Sequence, residues 1–377
     1  MTLQPQTDEG VAFAPETVTP WRPAGIAGAE IALISAADAR PILPALDLWD
    51  CWPLAHEDGR TAIHQGRSYW FFLSAPRFPD PGQRHDAARI RLLSHGTDGW
   101  RDHGDALPSA LSPGSREWAG SAVLHDDGQS VTLLFTAAGR HGQPQTFEQR
   151  LFAASGRLGP DGPAGWADPV ELVAADGRRY VRASEAEGRP GMIKAFRDPA
   201  WFRDPATGLS HILFTGSAGW SNHDYNGVVG LATLDGDRWR LDDPLVEAIG
   251  INNELERAHV VVQGGLYYLF WSTQRRTFAP GGVSGPNGLY AMVAEQLAGP
   301  YRPVNGSGLV AGNPQDEPTQ GYSWWVTGEG AVWSFIDHWG MEGRRFEAFP
   351  ALLRSQFGGT PAPVFHLTFD NDRVLIA

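Results

Sequence analysis

Ser121-Ala122-Val123-Leu124-His125-Asp126-Asp127-Gly128-Gln129-Ser130-Val131-Thr132-Leu133-Leu134-Phe135 sets two apolar runs on either side of an Asp-Asp-Gly turn. Asp-Gly tolerates the positive φ of a tight hairpin, and the flanking runs suit a pleated surface. The same pattern recurs along the chain. Trp201–Arg203 and Ser210–Phe214 flank Asp204-Pro205-Ala206-Thr207-Gly208. His259–Val262 and Leu266–Ser272 flank Gly264-Gly265. Ser323–Thr327 and Ala331–Ile336 flank Gly328-Glu329-Gly330, and Val364–Phe369 precedes Arg373–Ile376. Further short apolar runs lie at Tyr69–Leu73, Ala88–Leu93, Val228–Thr233 and Leu289–Val293. Helical periodicity never persists beyond a turn or two, which makes the chain all-β. Evenly spread hairpins with no intervening linker favour one closed β-propeller over a sandwich. At roughly 65 residues per meander the count is five blades, with longer loops than the ~40–50-residue propeller repeats allow. The expected layout is an N-terminal arm over 1–40, with a short helix near Ile34–Arg40, and a single five-bladed β-propeller with a deep central pocket over 41–377. Pro160–Gly165 is expected to be a Gly/Pro loop.

The 377 residues carry a net charge of −13, which argues against nucleic acid or an anionic membrane as partner. Fifteen tryptophans suit sugar stacking and a β-rich core equally. The one cysteine, Cys51, excludes an intrachain disulfide and, between Trp49 and Trp52, reads as a small packing residue. Residues 1–20 hold Asp8, Glu9 and Glu16 and no basic residue, unlike a signal peptide, and no apolar run approaches the ~18 residues of a membrane span. A soluble chain is expected, and its compartment and oligomeric state stay open. The histidines form no metal-ligand spacing. Asp242-Asp243 and Asp370-Asn371-Asp372 read as turn or solvated-loop acids rather than calcium ligands, and Gly281–Gly285 lacks the Lys and helix of a phosphate loop. No cofactor and no metal are expected.

The chemistry concentrates in three acidic stretches. In Leu48-Trp49-Asp50-Cys51-Trp52-Pro53-Leu54 a carboxylate stands between indoles, an arrangement that suits a sugar ring and equally a strand end capped by its Asp. In Ala195-Phe196-Arg197-Asp198-Pro199 an arginine keeps its neighbour ionised and offers a fork to hydroxyls. The near-copy Phe202-Arg203-Asp204-Pro205 is explained by its hairpin turn. In Asn253-Glu254-Leu255-Glu256-Arg257 the two glutamates share one face of an extended chain, where paired carboxylates raise one pKa. A retaining glycosidase needs two acids about 5–5.5 Å apart, one nucleophile and one acid/base. Inner strands of different blades would bring such acids into one funnel.

Together these stretches resemble glycoside hydrolase family 68, the levansucrase and bacterial fructosyltransferase family, over roughly residues 46 to 370. W-D-x-W-P matches Trp49, Asp50, Trp52 and Pro53; R-D-P matches Arg197, Asp198 and Pro199; E-x-E-R matches Glu254, Glu256 and Arg257. Glu117-Trp118-Ala119-Gly120-Ser121 is similar to the family's E-W-S-G-S, Tyr322-Ser323 to its Y-S, and Trp333-Ser334-Phe335-Ile336-Asp337 to its late E-S-F-I-D. The resemblance implies a propeller that cleaves sucrose and passes fructose to water or a sugar acceptor. It implies Asp50 as nucleophile, Glu256 as acid/base and Asp198 as holder of the fructosyl hydroxyls. Arg197 and Glu254 would fix the glucosyl side, Arg257 would set the charge balance, Trp49 and Trp118 would line the fructosyl subsite, and Tyr322 would sit near the acid/base.

Several positions depart from the family. Ala119 replaces a serine donor near the nucleophile, and Cys51 replaces Ser or Thr. Gln274 stands where relatives place an Arg or His that contacts the acceptor, with Arg275 and Arg276 as substitutes if the loop shifts, and Trp324 replaces a frequent His. The donor half of the site is therefore expected intact and the acceptor half altered, favouring hydrolysis and short fructo-oligosaccharides. Two alternatives stand beside this expectation: a non-catalytic sugar-binding propeller, and a related propeller glycosidase acting on fructan, arabinan or xylan.

Overall fold

A computed structural model describes residues 13–182, 189–344, 346 and 348–377. The first twelve residues of the expected arm lie outside the described residues. Five antiparallel blades, the first two joined in one ten-stranded sheet, radiate from one axis as a five-bladed β-propeller. Blade I contains Leu46–His56, Arg67–Pro76, Arg89–Gly96 and Gly99–Asp105; blade II contains Arg116–Leu124, Ser130–Ala138, Gln149–Gly159 and Gly162–Ala164. Blade III contains Phe196–Arg203, Ser210–Ser217, Gly227–Asp235 and Arg238–Leu241, and blade IV Glu256–Gln263, Leu266–Thr273, Gly288–Ala294 and Leu309–Gly312. Blade V contains Gly321–Val326, Ala331–His338, Phe357–Pro361, Phe365–Asp370 and Arg373–Ile376. The first strand of each blade is innermost and packs against its counterparts in the adjacent blades, and blade V closes on blade I. Blades I and II are further joined where Leu54–His56 pairs in parallel with Ala122–Leu124.

The hairpin turns form where their residues call for them. Asp127 accepts from the backbone N–H groups of Gln129 and Ser130 at 2.8 and 2.6 Å. Asp204 accepts from Ala206 N at 3.0 Å and from the Thr207 hydroxyl at 2.7 Å, and Tyr267 of the next blade donates to it at 2.6 Å. Asp204 is thus a turn residue that also ties two blades together.

The described N-terminal segment runs outside the blades. Thr19–Pro20 pairs in parallel with Val246–Glu247 of blade III, and Ala29–Glu30 with Ala311–Gly312 of blade IV. Trp21 anchors it, fully buried against Trp271, Phe278 and Tyr290, with its indole N–H donated to Ser307 O at 3.0 Å. An indole hides about 200 Å², so this one contact is worth roughly 4–6 kcal/mol.

Two local expectations differ from the structure. Ile34–Arg40 is a turn and not a helix: Asp38 takes the Ser35 N–H at 2.8 Å and its hydroxyl at 2.6 Å, and Pro41 follows too soon for the turn to propagate. Pro160–Gly165 is a tight reversal rather than a loose loop, because Gly162–Ala164 pairs back on Arg157–Gly159.

Candidate active site

Each innermost strand carries a bulge near its start. The register shifts between Trp49 and Cys51, Trp118 and Gly120, Arg197 and Ala200, Glu256 and His259, and Tyr322 and Trp325. The residues left over are Asp50, Ala119, Asp198-Pro199, Arg257-Ala258 and Ser323-Trp324. Asp50, Asp198, Arg257 and Ser323 adopt φ of 43°, 62°, 54° and 60°. Such left-handed conformations cost about 1–3 kcal/mol each in a non-glycine residue and collect at functional sites. A bulge re-aims a side chain that strand alternation would send elsewhere. Pro199 fits because the unpaired position needs no N–H. Gly120 is required by close approach, since a Cβ there would lie 1.9 Å from the Leu134 carbonyl oxygen.

Hydroxyls of one blade hold the bulge of the next. Thr136 Oγ1 accepts from Asp198 N at 2.8 Å, Thr215 Oγ1 from Arg257 N at 3.0 Å, and Ser272 Oγ from Trp324 N at 2.9 Å. Thr215 also donates to Asp198 Oδ2 at 2.9 Å.

The side chains converge on Arg197. Its Nη2 donates to Glu254 and, at 3.0 Å, to Glu256, while its Nε lies 3.5 Å from Asp198 Oδ2. Tyr322 donates its phenol O–H to the other oxygen of Glu256. Among the three carboxylates around Arg197, Glu256 is the most open, with 18 % of its side chain exposed against 7 % for Asp198 and 6 % for Glu254. Burial pushes the Asp198 carboxyl up to about 6, with Glu256 and Asp50 adding to the rise and Arg197 opposing it. Burial and the adjacent Glu256 raise Glu254 against the pull of Arg197. Asp50 is likewise raised by burial; Arg257 pulls it down most strongly, helped by the Ser323 hydroxyl and Arg84, while Glu256 pushes it up. Asp50, Asp198 and Glu254 thus each retain a proton more readily than an isolated carboxylate does.

Arg257 is buried and directed away from solvent. It donates to Cys51 O at 2.8 Å, Ser323 Oγ at 2.9 Å and Ser323 O at 3.3 Å, between the rings of Trp52 and Trp325 at 5.6 and 5.1 Å. It therefore braces the Asp50 bulge against that of Ser323. Cys51 is sealed in the core, its thiol pushed up to about 12 by burial. Trp118 is half-buried under the Arg116 guanidinium at 5.3 Å. Trp49 is only 1 % exposed, covered by Arg84 at 5.4 Å and edged by His85 at 5.9 Å. Glu117 lies in the core, taking the Ile90 N–H at 2.8 Å and the Arg89 guanidinium at 3.1 Å, a strut between blades I and II.

Gln274 accepts from Arg276 Nε at 2.7 Å. Trp324 is fully buried beside Tyr322. Asp337, 2.8 Å from His338 Nδ1, is held below the usual carboxylate range by His338, Arg84 and Arg276. Arg84, His85 and Arg276 border the site; no motif marked Arg84 or His85, which sit in a short 3₁₀ turn whose only signal was Pro81 after Asp80. Asp242 and Asp243 are bound by Arg240, Thr233 and Arg179. Among the described residues no group of three or more His, Cys, Asp or Glu side chains is arranged to hold a metal ion.

Comparison with known proteins agrees with this fold. The levansucrase/invertase family model matches residues 24–228 and 224–376. A levansucrase of Pseudomonas savastanoi is 32 % identical over 87 % of this chain and 85 % of its own, and one from Zymomonas mobilis is 34 % identical over 87 % and 82 %. Among solved structures, the inulosucrase of Halalkalicoccus jeotgali, bound to kestose, superimposes with a TM-score of 0.84 at 38 % identity, covering 95 % of both chains. The levansucrase of Gluconacetobacter diazotrophicus shares the fold, with a TM-score of 0.78 at 23 % identity over 100 % of this chain and 92 % of its own. The chain belongs to the levansucrase/invertase family, glycoside hydrolase family 68.

Proposed function

We propose that the protein splits sucrose with retention and passes the fructosyl group to water or to a second sugar. Asp50 attacks the anomeric carbon of the fructosyl unit, and Glu256 protonates the departing glucose oxygen. The covalent fructosyl-Asp50 ester is then opened by an acceptor hydroxyl whose proton returns to Glu256. Asp198 binds fructosyl hydroxyls and offsets the positive charge of the transition state. Arg197 and Glu254 form the wall on the glucosyl side, Trp118 the wall on the fructosyl side, and Tyr322 orients the acid/base. The observation that carries this assignment is the gathering of Asp198, Glu254 and Glu256 on one guanidinium, with Asp50 raised in the same electrostatic field.

Gln274 and Arg276 together form the acceptor wall. A cation tied to Gln274 holds a growing chain less firmly than one free to bind sugar hydroxyls, so hydrolysis and short fructo-oligosaccharides exceed long polymer. The test is product analysis after incubation with sucrose alone, beside Asp50→Asn. The expected outcome is free glucose and fructose with short oligosaccharides, and a loss of about 10³-fold or more in the variant. Abundant high-mass levan refutes the acceptor argument, and normal turnover by Asp50→Asn removes the nucleophile. A protein that binds sucrose without releasing glucose is the non-catalytic propeller. Release from arabinan or xylan but not from sucrose points to the related glycosidases.

A further inference from the structure

Three hydroxyls occupy equivalent places in the ring. On the second strands of blades II, III and IV, the residue paired with the last in-register position before the bulge is Thr136 opposite Trp118, Thr215 opposite Arg197 and Ser272 opposite Glu256. Each accepts a backbone N–H from the bulge of the following blade. An N–H can only donate, so each hydroxyl keeps its one proton for another acceptor. Thr136 gives that proton to the Ala119 carbonyl at 3.2 Å, and Ser272 has the Trp324 carbonyl at 3.5 Å. Thr215 gives it to a side chain, Asp198 Oδ2, at 2.9 Å. Two of the equivalent positions thus serve the backbone alone, and the third serves a carboxylate of the site.

Thr215 is fully buried, and its β-branched side chain is stiff about χ1. The N–H that it takes at 3.0 Å belongs to the peptide joining Glu256 to Arg257. One hydroxyl therefore spans from the Asp198 carboxylate of blade III to the backbone that carries Glu256 in blade IV. No other group can fix the rotation of that carboxylate. The Thr136 hydroxyl holds only the backbone N–H of Asp198. Arg197 Nε lies 3.5 Å from Oδ2, too far for a strong hydrogen bond, and its Nη2 is committed to Glu254 and Glu256. Among the described residues the carboxylate receives no other hydrogen bond, so Oδ1 is the oxygen left for a sugar hydroxyl.

We propose that Thr215 is a positioning residue, whose hydroxyl sets the Asp198 carboxylate at a fixed distance from Glu256 so that both engage one bound sucrose. This rests on the sucrose-cleaving function proposed above. Asp198 holds fructosyl hydroxyls while Glu256 protonates the glucose oxygen, so an error in their spacing cannot be absorbed by moving the substrate. A misplacement of about 1 Å in such a pair can cost about a hundredfold in rate.

Thr215→Val keeps the shape of the side chain and removes the hydroxyl, and Thr215→Ser keeps the hydroxyl and removes a methyl. Both are assayed on sucrose, with melts to show that each protein is folded at the assay temperature. Thr215→Val is expected to lose about ten- to a hundredfold in kcat/KM, the range for a hydrogen bond to a charged group, and Thr215→Ser to stay within about threefold of wild type. Should Thr215→Val not fold, Thr215→Cys takes its place; its thiol is a weak donor, and its kcat/KM is expected to fall clearly below that of Thr215→Ser. Dependence on Asp198 is read by binding. In an Asp50→Asn background, where turnover is expected to stop, adding Thr215→Val is expected to raise the Kd for sucrose about fivefold. With Asp198→Ala also present, the same change is expected to move Kd by less than about twofold, because the partner is gone. Wild-type kcat/KM in Thr215→Val, or in Thr215→Cys where it stands in, overturns the proposal. So does an equal rise in Kd with and without Asp198, which makes Thr215 a brace for the Arg257 bulge alone. A wild type that leaves sucrose intact defeats the underlying function, whereas a wild type that cleaves it beside an unaffected Thr215→Val defeats this inference alone.

Discussion

Replacing Arg257 by methionine separates the electrostatic part of the site from its scaffold. The change strips hydrogen bonds from Cys51 O, Ser323 O and Ser323 Oγ and removes a cation from between two indoles. Each buried acceptor left bare costs about 1–3 kcal/mol, and the paired rings add about 0.5–2 kcal/mol each. Removing a desolvated charge returns part of that sum, leaving a net loss of about 2–4 kcal/mol. With about 2.1 cal/mol/K of unfolding entropy per residue, 1 kcal/mol moves Tm by little more than ~1 °C in a chain of this size, so Tm falls by about 3–5 °C. The electrostatic effect is separate. Asp50 must be ionised to attack, so activity falls as pH drops through its pKa. Arg257 is the strongest influence holding that pKa down, and without it the pKa rises. The acid limb of kcat/KM therefore moves to higher pH, by about one unit or more. Arg257→Lys keeps the charge but not the fork; it should hold the limb near its wild-type place while losing Tm. The assay is the pH profile of kcat/KM on sucrose with thermal melts of all three proteins. A limb that stays put in Arg257→Met while Tm drops would falsify the electrostatic role and leave Arg257 as a brace alone.

Other perturbations read neighbouring parts of the cluster. Tyr322→Phe removes the O–H donated to Glu256, and kcat is expected to fall about tenfold with Tm within about 2 °C of wild type; an unchanged kcat rejects the orienting role. Asp198→Asn should raise Tm at pH 7 by a few degrees while abolishing turnover. The folded-state pKa of Asp198, about 6, lies above its ordinary 3.8, so the stability this group contributes is complete below about pH 4 and is lost as pH rises through about 6. Those two units are worth roughly 3 kcal/mol at neutral pH, and the amide escapes the penalty. Melts from pH 4 to 7 should show the two proteins converging at the acid end; a constant gap across the range counts against the shift.

Much of the propeller was legible because its turns are chemical as well as geometric. Asp127 and Asp204 bind the backbone of their own hairpins, so Asp-Gly and Asp-Pro placed the reversals to within a residue or two. Strands with mixed or charged sequence gave no such signal. Gly99–Asp105 contains Trp100-Arg101-Asp102-His103 and is half-exposed at the rim of blade I, where pairing with the adjacent strand rather than an apolar face makes it a strand. Asp198 and Glu256 stood out through their neighbours, Arg197 and Glu254, which the structure brings together. Trp49 stood out for the wrong surface: its ring is packed under Arg84 and His85 and not open to the pocket. Arg84 and His85 gave no sign because they reach Trp49 from a separate short turn, and no local pattern encodes that contact.

The bulges were equally invisible, yet they explain why the acids meet. One extra residue in a strand leaves the run of apolar side chains almost unchanged, so periodicity cannot reveal it. Five inner strands nevertheless break register at the same level. A single backbone device, repeated around the axis, aims Asp50, Asp198, Arg257 and Ser323 inward, and the side chain at each position then decides the chemistry. Ala119 occupies the fifth position and contributes a carbonyl, which takes the Thr136 hydroxyl at 3.2 Å, while the N–H of Asp198 in the next blade donates to that same hydroxyl. Thr136, Thr215 and Ser272 each anchor the bulge in the following blade, and Thr136 and Thr215 bind that of their own blade as well. The left-handed residues are therefore stabilised only when the blades stand side by side, and the strain at each is offset by contacts that exist only in the assembled ring. Closure of blade V on blade I, which Arg257 reinforces by binding Cys51 and Ser323 together, is thus the same event that completes the site.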